Sequence, residues 1–96
     1  MANLEEAAQR LLRALNEHQA HDREGATVKP GDQEARDAGL RVSSTHYRAA
    51  IWWLLDVGAL VPDEEANEQL RNAVGAQHRG FAFKITRRGL NMLRKV

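Results

Sequence analysis

Ninety-six residues carry 43% apolar and 28% charged side chains, no cysteine and a formal net charge of +1. That balance excludes a disordered chain, a disulfide scaffold and a thiolate metal site, and overall charge alone makes no case for a nucleic-acid partner. The length fits a single domain over 1–96 with one modest core, and no run nears the roughly 18 apolar residues of a membrane span.

The first ten residues hold Glu5 and Glu6 and no apolar run. No secretory leader is therefore expected, and the cytoplasm is the expected compartment. Leu4, Ala8, Leu11, Leu12 and Leu15 recur at three- and four-residue steps, which predicts a first helix over 4–20 with one apolar face. Asn3 is its expected cap, and Glu5 and Glu6 suit the positive end of its dipole. Gly25 closes this region. A short extended piece, 26–29, follows, with Lys29 biased toward extended geometry by Pro30.

Asp32 is the next expected cap, opening a short helix over 32–38 that Gly39 stops. A turn then leads to Ser43 or Ser44 as the cap of a third helix over 45–57. Tyr47, Ile51, Leu54 and Leu55 are its expected inner face, and Gly58 its end. A short strand is predicted at 59–61. Asp63 to Glu65, with Ala66, Leu70, Ala73 and Val74, then predict a further amphipathic helix over 63–74, closed by Gly75. Phe81, Phe83 and Ile85 alternate with Ala82, Lys84 and Thr86, the two-residue period of a half-buried strand. A last helix is predicted over 87–95, with Thr86 as cap, Leu90 and Leu93 inward, and Gly89 permitting close approach to a neighbour.

Charge is unevenly spread. Residues 1–40 hold five basic and eight acidic groups, residues 41–96 nine and five, and nothing acidic follows Glu68. A one-signed stretch of this kind attracts phosphates even on a nearly neutral protein, or is a solvated surface balanced by the acidic first half.

Three pieces, in order, carry a resemblance over about 4–95: the 33–40 segment with its small residue four positions before Gly39, the 50–60 segment running from helix into strand, and the 83–90 segment with its threonine-capped turn. Together they resemble the winged helix-turn-helix family. The resemblance implies a mainly α fold with a small β-wing spanning about 59–86, here with an extra helix inserted in the wing. It implies a DNA-binding domain, a small transcription regulator or an accessory module, whose 45–57 helix enters the major groove of double-stranded DNA. Ser44, Thr45, His46, Arg48 and Ala49 are then the expected base readers, Arg48 foremost because its fork donates twice to one guanine edge. Arg41, Arg79, Lys84, Arg87 and Arg88 are the expected phosphate contacts.

Two departures stand out. The 39–47 stretch is about two residues longer than the usual tight turn. The 61–81 stretch is long for a wing, and either contacts nucleic acid through Arg71, His78 and Arg79 or folds back over the third helix. With Ile51 at the centre of the buried face, Thr45, His46, Ala49, Trp53 and Asp56 point outward, and Arg48 and Trp52 lie at the borders. Trp53 is then expected to be covered by the 63–74 helix or by a homodimer contact. Trp52 and Trp53 are thus the expected partner contacts, and a winged-helix protein-interaction module that does not bind DNA is the rival reading.

No enzyme is expected. His18 and His21 with Asp22 have ligand-like spacing but no third protein ligand, so no metal is expected. Ser43, Ser44 and His46 have no acid and no glycine elbow beside them. A phosphate-binding glycine loop is missing from the sequence, and no cofactor is expected.

Overall fold

The structure, a computed structural model, describes residues 3–42, 44–74 and 81–94. Helix α1 spans Leu4–Leu15, and the Asn3 side chain caps it by accepting from the Glu6 N–H at 2.7 Å. Ala8, Leu11, Leu12 and Leu15 are fully buried, as their spacing predicts. The α-geometry stops five residues before the expected end. Asn16–Ala20 form one π-turn, closed where the His21 N–H donates to the Asn16 carbonyl at 2.7 Å. The Asn16 side chain clasps Asp22 twice, donating to its carboxylate and accepting from its N–H. That clasp holds His21 and Asp22 at left-handed φ of 50° and 64°, which non-glycine residues adopt only when locally bonded.

Strand β1 is Thr27–Val28. Beside it the Gln19 side-chain amide donates to the Lys29 carbonyl and accepts from the Lys29 N–H, at 2.8 and 2.6 Å, as a neighbouring strand does. Helix α2 spans Asp32–Asp37. Its cap is Gly31, one residue before the expected Asp32, because Glu34 reaches back to accept from the Gly31 N–H at 3.0 Å. The left-handed φ of Gly39 ends the helix, and the Leu40 N–H closes onto the Ala35 carbonyl.

Helix α3 spans Thr45–Asp56, capped by Ser44, whose hydroxyl accepts from the Tyr47 N–H at 3.1 Å. Its fully buried residues are Ala50 and Leu54; Ile51 is only half-buried. The helix is therefore turned by most of one residue step from the expected orientation. The cause is packing: α3 lies chiefly against α1, and the small Ala50 lets the two backbones approach where Ile51 would hold them apart. Gly58 then leaves the helix with φ 80°.

Strand β2 is Leu60–Pro62, helix α4 Glu64–Val74, strand β3 Phe83–Ile85 and helix α5 Arg87–Arg94. The strands form one antiparallel sheet in the order β1-β3-β2, with Lys84 facing Thr27 on one side and Val61 on the other. Phe83 and Ile85 point into the core. Phe81 does not; it is 63% exposed, and fully buried Ala82 takes the inward place. Ahead of the strand the Asn67 side-chain amide pairs with both backbone groups of Ala82, so the two-residue period starts only at Phe83.

The chain is thus mainly helical with a small three-stranded antiparallel sheet. One apolar cluster joins α1, β1, α3, both other strands and Leu90 of α5. Asp63 fastens α4 to this frame. It caps the helix by accepting from the Ala66 N–H, accepts from the Thr27 hydroxyl at 2.6 Å, and donates its own N–H to the Ala82 carbonyl. No described helix is long and apolar enough to cross a membrane.

Candidate nucleic-acid and partner interface

With Ala50 and Leu54 directed inward, a step of about 100° per residue turns Arg48, Trp52 and Asp56 outward. All three are exposed, as are Thr45 and His46 in the first turn. The principal packing of α3 is against α1 and β2, not against the α4 insert, and among the described residues nothing of α4 buries this edge.

The expected base readers divide. Thr45, His46 and Arg48 present their side chains to solvent. Ser44 is half-buried and its hydroxyl already serves as a cap, though its own O–H is left to donate. Ala49 is half-buried on the flank.

The two tryptophans part company. Trp53, expected to point outward beneath the 63–74 helix, is instead half-buried against the core. The turn of α3 about its axis carries it toward the α1 seam. Trp52 is the outward ring, 70% exposed. Around it lies an open groove of about 610 Å³ lined by Leu4, Ala49, Trp52, Trp53, Leu55 and Asp56. Leu4, read in the sequence only as the first core position of α1, is 39% exposed here. No periodicity argument could have found that role, because it depends on where α1 starts relative to α3.

The expected phosphate contacts are unequally placed. Arg41 is exposed beside the entry to α3. Lys84 stands exposed at the middle of the sheet's outer row, close enough to Asp63 to favour its ionised form. Arg87 donates to the Glu24 carboxylate at 2.8 Å, so its charge is partly answered within the chain. Arg88 donates to the Val57 carbonyl at 3.2 Å, capping the end of α3. Arg79 and His78 lie outside the described residues; Arg71 is exposed on α4.

Three groups have displaced proton affinities, each with a structural cause. The hydrogen bond that His18 donates to the Asp37 carboxylate raises its proton affinity. Burial pushes the Tyr47 hydroxyl up, and nearby Glu34 adds to it. The Thr27 hydroxyl, then the Ala66 N–H, hold the Asp63 carboxyl below the usual range. His18 and Asp63 each join one element to another. His18, once paired by spacing with His21, is bonded to Asp37 of α2 at 2.8 Å.

Comparisons of the chain with protein-family models, with curated proteins and with solved structures found no match.

Proposed function

We propose that this chain is a DNA-binding domain of winged helix-turn-helix architecture, a binding rather than a catalytic module, whose α3 enters the major groove by its N-terminal half. The observation that carries the reading is the free outer edge of that half, where Thr45, His46 and Arg48 are exposed and uncovered by α4. The order α1-β1-α2-α3-β2-β3-α5, with β3 central in the sheet and α4 inserted ahead of it, supports the architecture. Arg48 reads a guanine edge, Thr45 and His46 flank it, and Arg41 and Lys84 grip phosphates.

The test is fluorescence anisotropy of a labelled duplex titrated with protein over a series of salt concentrations. The log of the affinity should fall linearly with log salt, by about 0.9 for each phosphate neutralised. Binding that ignores salt, or that ignores Arg48→Ala, sinks the reading.

A second reading has its own observation. Trp52, 70% exposed in a groove with Leu4 and Asp56, suits a protein partner better than it suits phosphates. Under that reading the chain is a protein-interaction module of the same architecture.

A further inference from the structure

We propose that the outward face of α3 pairs with the same face of a second copy of this chain, antiparallel about a two-fold axis at Trp52, each copy's Arg48 lying opposite Asp56 of the other. The inference rests on the second reading and names its occupant; it requires no DNA.

The stripe itself carries the argument. Arg48, Trp52 and Asp56 are four residues apart and all exposed. A rise of 1.5 Å per residue sets the cation about 6 Å to one side of the indole and the anion about 6 Å to the other. Among the described residues neither charge has an ion-pair partner in its own chain. A stripe ordered cation, ring, anion is complementary to itself only when reversed. Antiparallel pairing centred on Trp52 sets two opposite-charge pairs on either side of the two indoles. Parallel pairing sets like charges face to face.

Shape agrees with charge. The Arg48–Trp52–Asp56 ridge runs beside a second i, i+4 ridge of Thr45, Ala49 and Trp53. The small Ala49 opens a furrow between the two. Ridges of this type interdigitate at a crossing angle of about −50°. The partner's indole then enters the groove between Ala49, Trp53 and Leu4, which is open to receive it. A contact resting on one helix of each copy is small, below the roughly 1,200 Å² of a standard stable interface, so the association is weak and reversible. It also hides Arg48, so self-pairing and duplex binding exclude one another.

Sedimentation velocity of the full chain, at concentrations up to about 1 mM, tests the pairing. The unaltered chain should associate reversibly with rising concentration. Trp52→Ala should abolish this. Arg48→Glu and Asp56→Lys should each weaken it by about tenfold or more, since each sets like charges opposite one another. The combined Arg48→Glu, Asp56→Lys chain should regain association near the original, because both pairs re-form with signs exchanged. Circular dichroism confirms that each variant remains folded. A chain that stays monomeric throughout, a dimer indifferent to Trp52→Ala, or a double exchange as weak as the single ones overturns the proposal. A duplex titration on Trp52→Ala, which keeps Thr45, His46 and Arg48, judges the DNA reading separately.

Discussion

Gly89 lies so close to the Ala59 carbonyl that a methyl group on its α-carbon would stand 2.5 Å from the oxygen. The same carbonyl accepts from the Thr86 N–H at 3.1 Å and is met by the Thr86 hydroxyl at 3.0 Å, while that hydroxyl also accepts from the Gly89 N–H. Thr86 and Gly89 thereby pin the first turn of α5 to the entry of β2. Gly89→Ala should destabilise the fold by about 1–3 kcal/mol even though alanine favours helix, because the obstruction is backbone. A melting temperature equal to or above that of the unaltered chain would refute the close contact.

The orientation of α3 predicts a sharp difference between two large residues two positions apart. Leu54→Ala empties a fully buried site and should cost about 2–5 kcal/mol. Trp52→Ala removes a ring that is 70% exposed and, at dilute concentration, should change stability by no more than about 0.5 kcal/mol. Urea denaturation of both variants checks the pair of values. Reversed magnitudes would mean that α3 is turned the other way.

His18 and Asp63 predict opposite edges of the pH–stability profile. Asp37 raises the proton affinity of His18 in the folded chain. The associated stability is complete below the ordinary value of 6.5 and is lost as pH rises through the folded value. Asp63 is lowered from 3.8, so its contribution is present above that value and lost as pH falls through the folded one. Denaturation midpoints measured across pH should therefore decline on both sides. His18→Ala should flatten the upper decline and Asp63→Asn the lower one. Unchanged slopes would mean that these bonds do not form in solution.

The cations predict a ranking in duplex binding. Arg48→Ala should weaken affinity by about tenfold, within the range of a base contact. Arg87→Ala should weaken it less, because Glu24 already engages that side chain. Glu24→Gln releases Arg87 and should tighten binding at low salt. Anisotropy titrations at one salt concentration rank the three, and equal losses for Arg48 and Arg87 would contradict the order.

Much of the fold was legible because its signals are local. Asn3, Ser44 and Thr86 cap helices as their types suggest, and Gly39 and Gly58 take the left-handed turns that only glycine adopts without strain. What escaped sequence reasoning depends on distant partners. Ala50 became the centre of the α3 seam because of what α1 places opposite it, which no periodicity within α3 reveals. Asp63 read as the start of a helix, whereas its carboxylate also bonds Thr27, 36 positions earlier. The site followed the same division. Spacing turned Thr45 and His46 outward and left Arg48 at the border, but the groove joining Leu4 to Trp52 exists only once α1 and α3 are packed.

The Gln19 amide that mimics a strand beside Lys29 has a bearing on solubility. A short sheet with a bare margin invites a foreign strand to dock and growth toward fibrils. Here one margin is already occupied by a side chain. The opposite strand ends at Pro62, which has no N–H to offer. A foreign strand is thereby obstructed at both edges of the sheet.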